Sequence, residues 1–266
     1  FSLPLVLSGA AVFGNSFIDR IVVRELLGLE ALGVYGVTAR FTSVVSILAV
    51  GVQAALSPLV YRHWREAGTG DALGRVCRFY CAAMVPLVGF ISLFASEIMG
   101  TLTGPAFYLG SKILPLMTLG AMFSTLYVFA PGLFLGERTG RVALLNVTGA
   151  LVNLILSLTL VSWLGLTGAA LATTIAACVV FVGYVFLGRT WFKVKYEVVK
   201  VTASLGFVIA LVLTGLQWQP EVITWDPLGT ALKLALLLLS TLAVYRLGLN
   251  NDDRAVIWQR ISASSR

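Results

Sequence analysis

Three arginines and one aspartate stand beside long apolar runs, in a chain that otherwise avoids charge: Asp19, Arg20 and Arg24 in "GNSFIDRIVVRELLG", then Arg40 in "GVYGVTAR". A charge well inside a bilayer costs roughly 2.5–3.5 kcal/mol on insertion scales, so each of these needs a partner, a cavity or a route to water. On a helix, Ser8, Asn15 and Asp19 share one face, and Ser16, Arg20 and Arg24 share another about 100° away. Both faces can border one cleft. If the second helix starts near Gly33, Arg40 lies about 10 Å along it at 1.5 Å per residue, deep for a snorkelling side chain. Arg20, Arg24 and Arg40 then form a cationic wall, and the planar guanidinium fork is the side chain best matched to a phosphate. Asp19 is expected to orient an arginine rather than to touch an anion. The bland alternative is an interfacial Asp19 and Arg20, with Arg24 paired to Glu25 or solvent and Arg40 at a helix-end carbonyl. Asn15 and Gln53 are candidate polar neighbours of the cavity, and for Gln53, Asn146 and Asn153 interhelical hydrogen bonding is the expected use.

The elements that carry these residues follow from composition. The chain has 266 residues, 58% of them apolar and only 12% charged, with a mean hydropathy of +0.93. A soluble domain carries about 25% charged residues, so this chain lacks the polar surface to cover itself in water. Eight segments reach the roughly 20 apolar residues that span a hydrocarbon core: approximately 3–18, 33–57, 79–101, 112–135, 142–162, 166–188, 198–216 and 228–247. The fold class is an all-α integral membrane protein of about eight transmembrane helices. "WLGLTGAALAT" is short enough to force the fifth and sixth into an antiparallel hairpin.

The net charge of +7 reads as orientation, with no basic stripe or recognition helix that would take nucleic acid. Alternate connectors (61–78, 136–141, 189–200 and 246–266) hold 14 of the 19 bases and six of the 12 acids. The remaining five bases, Arg20, Arg24, Arg40, Lys112 and Lys233, face the other six acids. This asymmetry marks the first set as cytoplasmic and puts both chain ends on that side. Residue 1 already lies in an apolar run with no initiator Met or signal peptide, so the chain is expected to be a fragment.

Small residues recur where helices should touch: Gly132, Gly136 and Gly140, Gly33 and Gly36, and Gly165 and Gly168. Pro58, Pro86, Pro115 and Pro131 fall in or near spans and are candidate kinks. Catalytic signals are weak. "GTGDALG" has the wrong last gap and no preceding strand for a dinucleotide loop. His63, the single histidine, sits in a basic loop without ligand-spaced partners; Asn146-Val147-Thr148 is an accidental sequon at a cytoplasmic helix start. Cys77, Cys81 and Cys178 offer no disulfide framework and read as small membrane-helix residues. No nucleophile triad or metal cluster appears, and no cofactor is implied: this is not an enzyme.

"LPLVLSGAAVFGNSFIDRIVVRELLGLEALGVYGVTARF", followed by "LSPLV" and later "GLTGAALAT", resembles polysaccharide-export flippases of the multidrug/oligosaccharidyl-lipid/polysaccharide superfamily. The resemblance rests on Pro4, Asp19-Arg20, Gly33-x-Tyr35, Pro58 and Gly165…Gly168-Ala169-Ala170, in order over roughly residues 1–190. It implies two helix bundles facing a central cavity. Residues 1–190 would be the second, six-helix bundle and 191–266 a trailing helix pair with a cytoplasmic tail, the first bundle being absent. The implied function is alternating-access movement of a lipid-linked oligosaccharide (a polyprenyl diphosphate) across the bacterial inner membrane, for polysaccharide or O-antigen export. The implied partners are that lipid-linked glycan, membrane lipids, the missing bundle and the glycan polymerase machinery. By position, Arg20, Arg24 and Arg40 are its cavity cations. The alternative is a cation-coupled small-molecule or multidrug exporter of the same superfamily, for which Asp19 is the one acid suitably placed. With no histidine in a span, membrane potential or a sodium site is left to drive transport.

Overall fold

A computed structural model describes residues 2–218 and 226–247. The described residues form helices α1 (Ser2–His63), α2 (Thr69–Leu93), α3 (Ala95–Leu102), α4 (Leu114–Thr125), α5 (Gly132–Leu135), α6 (Thr139–Leu164), α7 (Leu166–Gly188), α8 (Val198–Gln217) and α9 (Pro227–Leu247). Two 3-10 stretches, Pro105–Lys112 and Leu126–Phe129, flank α4, and no strand occurs among the described residues. Among the described residues, seven helical stretches are long and apolar enough to cross a membrane. The first of them contains two of the expected spans.

Helix α1 is where sequence and structure differ most. Its hydrogen-bonded turns run on through the charged stretch that reads as a connector, and the chain reverses at one residue, Gly28, with φ 91° and ψ −178°. Only glycine adopts that φ without a Cβ clash. The reversal is visible in the contacts: the Tyr35 hydroxyl donates to Asp19 Oδ2 at 3.1 Å. On a straight helix those residues would sit about 24 Å apart along the axis. Each arm is longer than the roughly 30 Å hydrocarbon core, so the single element accounts for two crossings. The prolines do not bend the chain in this way. Pro58 and Pro86 lie within α1 and α2, whereas Pro115 and Pro131 begin α4 and α5, where a missing N–H costs little.

The hairpin of α6 and α7 turns at Gly165 and packs α6 on α1 and α7 on α4. Helix α2 bridges to the trailing pair, α8 and α9. Val208, Leu211, Val212 and Val244 of that pair share one apolar core with Met84, Leu114 and Met122 of the bundle. The outward surfaces of the long helices stay apolar, with Leu3, Ile47, Ile155, Trp163 and Val199 all exposed, as lipid-facing side chains should be. Gly132 meets the Gly188 backbone, Gly136 meets Trp191, and Gly168 meets the Leu160 carbonyl, as small contact residues do. Gly140 and Gly36 face open space, and Gly33 meets only the Phe107 ring at ordinary distance, so these three have no close-packing role.

Between α7 and α8 the chain runs as an extended strap across the first turns of α2. Arg78, 2% exposed, pairs with Glu197, which Lys200 also contacts. Lys195 Nζ lies 3.0 Å from Asp71 Oδ2, and the Tyr196 hydroxyl donates to the Phe129 carbonyl at 2.7 Å. Burial pushes the Tyr196 phenol above its ordinary range. A Cβ at Gly74 would overlap the Lys195 carbonyl. Gly74→Leu is therefore expected to lift the strap, break the Arg78–Glu197 pair and destabilise the protein by about 3 kcal/mol. Thermal melting in detergent, with proteolysis at 189–197, measures it; an unchanged midpoint would refute the clamp. The basic C-terminal tail, with Arg254, Arg260 and Arg266, lies outside the described residues.

Candidate functional site

The polar centre of the bundle is Asp19. It is 5% exposed, on the N-terminal arm of α1, on the face that packs against α6. Four neutral donors converge on its carboxylate. Tyr35 donates from the other arm of α1, Asn153 Nδ2 and Ser157 Oγ donate from α6 at 2.8 and 3.3 Å, and Thr173 Oγ1 donates from α7 at 2.8 Å. Asn153 Nδ2 also reaches Asn15 Oδ1 at 3.1 Å. Four segments thus meet at one acid, because α1 doubles back at Gly28 and the α6–α7 hairpin lies beside it.

The expected pairing of Asp19 with an arginine is not what forms. The four donors already occupy both carboxylate oxygens, Arg20 and Arg24 lie on a face about 100° round the helix, and Arg40 is on the other arm. Arg20 is exposed and stands over the Phe17 ring at 5.9 Å. Arg24 is exposed and lies 3.8 Å from Glu25, the bland pairing. Arg40 is exposed on the second arm. Ser8, Asn15 and Asp19 therefore face into the bundle and Arg20 and Arg24 face out, so the two faces do not border one cleft within this chain.

The uncharged polar residues do join helices. Asn146 Nδ2 donates to Ser8 Oγ at 2.7 Å, and the Tyr184 hydroxyl lies 3.4 Å from Asn146 Oδ1. Gln53 Oε1 accepts from the Tyr127 hydroxyl at 3.4 Å, beside a cavity of about 200 Å³. A second cavity, of about 260 Å³, is lined in part by Ser8, Asn15, Tyr127, Asn146 and Thr173. Its lining is mostly apolar, with Leu5, Val12, Phe123 and Val180 among it, and it reaches Asn15 and Thr173 of the Asp19 cluster.

Chemically, a carboxylate held by hydroxyl and amide groups from separate helices can keep its charge or trade it. The Thr173 hydroxyl has a second acceptor, the Ala169 carbonyl at 3.0 Å, and Ser157 has a second one in Asn153 Oδ1 at 3.4 Å. Both hydroxyls can turn away and offer oxygen lone pairs instead, so the cluster is suited to exchange one proton or one small monovalent cation. Ser157 and Thr173 were not singled out from sequence. Their signals are the one-turn spacing of Asn153 and Ser157, and the place of Thr173 as the last residue of "GLTGAALAT". A second buried ion pair, Lys233 Nζ with Glu97 Oε1 at 2.6 Å, ties α9 to α3 and was also missed.

Apolar helices that expose their greasy surfaces and enclose a carboxylate cluster define a multi-pass membrane protein with a polar core. The chain belongs to the MatE family, whose profile matches residues 4–159. It is 26% identical over 194 residues to the uncharacterized membrane protein MJ1068 of Methanocaldococcus jannaschii, covering 71% of this chain and 37% of that protein. It is 22% identical over 202 residues to the probable low-salt glycan biosynthesis flippase Agl15 of Haloferax volcanii, covering 74% of this chain and 43% of that one. Among solved structures, the lipid II flippase MurJ in an inward closed conformation superposes with a TM-score of 0.64 at 19% identity, covering 90% of this chain and 51% of that chain. That likeness supports the fold. The chain spans less than half the length of the two curated relatives.

Proposed function

We propose that this chain is half of a flippase that moves a lipid-linked oligosaccharide, carried on a polyprenyl diphosphate, across the inner membrane by alternating access for polysaccharide export. The observation that carries the reading is the division of α1: an acid ringed by neutral donors turned inward, and three exposed arginines, Arg20 and Arg24 on the same arm and Arg40 on the other. A preceding helix bundle laid against them would close a cavity with Arg20, Arg24 and Arg40 on its wall, where a diphosphate has reason to stop. The prenyl chain can remain in lipid. Agl15 and MurJ, both described as flippases, support the class of cargo. The protein acts as a transporter, with the connectors rich in arginine and lysine on the cytoplasmic side.

Arg20→Ala or Arg40→Ala at the chromosomal locus is expected to abolish surface glycan while the membrane level of the protein stays intact. Lectin labelling and immunoblotting measure the two quantities. Normal glycan display in both variants would remove these arginines from the site.

A cation-coupled small-molecule exporter is the second reading, and Asp19 is the observation that favours it. Efflux of a lipophilic dye cation by reconstituted protein, lost in Asp19→Asn and indifferent to Arg40→Ala, would select the exporter over the flippase.

A further inference from the structure

Four cations cluster at one end of the bundle, where Glu137, next to Arg138 in sequence, makes no ion pair with them among the described residues. Arg138 and Arg141 open α6, Arg189 follows α7, and Lys193 lies in the strap; all four are exposed and none makes an ion pair among the described residues. Two of them share one ring: the guanidinium carbons of Arg138 and Arg141 stand 5.3 and 4.7 Å from the centroid of Trp191. Like charges gathered on a single indole repel each other, and an anion between them removes the repulsion. The chain neighbours of Trp191, Thr190 and Phe192, line a cavity of about 540 Å³ together with Arg189, Lys193 and Tyr196, while Trp191, Arg138 and Arg141 stand outside its lining. The cavity is large enough for a small headgroup.

The surface leading away from the cluster is apolar. The Arg189 guanidinium lies 4.2 Å from the centroid of Phe186, and Phe186, Val182 and Val179 form an exposed stripe along α7, 58%, 56% and 42% exposed. Val198 and Val199 are exposed at the start of α8 on the far side of the strap. Cations and an indole at the end of a greasy helix face match a ligand with a phosphate at one end and acyl chains at the other.

We propose that Arg138, Arg141, Arg189 and Lys193, with Trp191 and the cavity beside it, form a binding site for the phosphodiester headgroup of an anionic phospholipid, its acyl chains lying along the exposed stripe of α7. The chemistry shared with free phosphate is the anion; the stripe is the reason to expect a lipid. This site is separate from the Asp19 cluster and from Arg20, Arg24 and Arg40.

The test is native mass spectrometry of the purified full-length protein, titrated with phosphatidylglycerol, phosphatidylcholine or inorganic phosphate. Phosphatidylglycerol is expected to bind at least tenfold more tightly than phosphatidylcholine, and millimolar phosphate is expected not to displace it. At roughly fivefold per basic residue near a lipid surface, R138Q/R141Q/R189Q should weaken phosphatidylglycerol by about 100-fold. R62Q/R65Q removes two cations from another basic stretch, 61–78, and should weaken it less than threefold. Loss in proportion to charge in both variants would mean general attraction and overturn the site. Undiminished phosphatidylglycerol binding in the triple variant would overturn it too, and so would displacement by phosphate alone, which would leave a free-anion site without a lipid. A matching thermal midpoint for the triple variant and the parent protein excludes unfolding as the cause.

Discussion

Asp19→Asn at the chromosomal locus is expected to reduce glycan export at least tenfold while the thermal midpoint of the purified protein moves little. The asparagine retains an oxygen for Asn153 and Ser157, whose bonds to Asp19 Oδ1 measure 2.8 and 3.3 Å. Its amide meets the Thr173 and Tyr35 hydroxyls, and Thr173 can retreat to the Ala169 carbonyl it already approaches. Folding therefore loses about 1 kcal/mol, the ordinary scale of one exchanged hydrogen bond. What disappears is the charge, and with it any capacity to take up a proton or a cation on one side and release it on the other. Asp19→Leu separates the two effects. It orphans the donors of Tyr35, Asn153, Ser157 and Thr173 together and should destabilise by several kcal/mol as well as inactivate. Surface glycan per molecule of protein is the measurement; full export by Asp19→Asn would show that the cluster is architectural and that coupling lies elsewhere.

The second large effect belongs to Lys233. Its side chain is 4% exposed, its Nζ lies 2.6 Å from Glu97 Oε1, and the Phe94 ring centroid is 5.7 Å away. Glu97 Oε2 is buried with no hydrogen-bond partner among the described residues, so that carboxylate depends on the lysine. Lys233→Leu leaves a buried acid without its cation, and Glu97→Leu leaves a buried ammonium beside an aromatic ring. Each is expected to cost about 3–5 kcal/mol, whereas the double variant, which replaces the pair with apolar side chains, should recover most of the loss. For a chain of this size that corresponds to roughly 10 °C of thermal midpoint for either single change. A double-mutant cycle in detergent decides the matter: additive losses would mean the two side chains do not interact across the α3–α9 contact.

Much of the fold was legible because lipid imposes one rule, an unbroken apolar run long enough to cross. The windows 142–162, 166–188 and 228–247 lie within α6, α7 and α9, which face lipid along much of their length. The rule falls silent where helices leave the hydrocarbon. Residues 19–32 carry Asp19, Arg20, Arg24, Glu25 and Glu30 and read as a connector, yet they remain helical on both sides of Gly28. Likewise α2 begins at Thr69, ten residues before its apolar window, because its first turns lie under the strap instead of in lipid. The candidate site was legible as a list and not as an arrangement. Polarity inside an apolar run marks Gln53, and helical phase adds that Asn15 and Asp19 share a face with Ser8. The partners of Asp19 come from 16 to 154 residues away, a distance no local pattern spans. Helical phase had separated the acid from the arginines by about 100°, and that separation decides which of them turn inward.

A reversal made by one residue leaves no loop between the two arms of α1. Proteases engage a slack, extended stretch of backbone, and an inserted tag needs exposed chain whose ends tolerate being spread. At Gly28 neither is on offer: a cut there would require unwinding helix on both sides, and an inserted epitope would force apart the arms that Tyr35 and Asp19 hold together. Reporters of sidedness are better placed elsewhere, such as the short connector between α1 and α2, where 64–68 lie outside both helices.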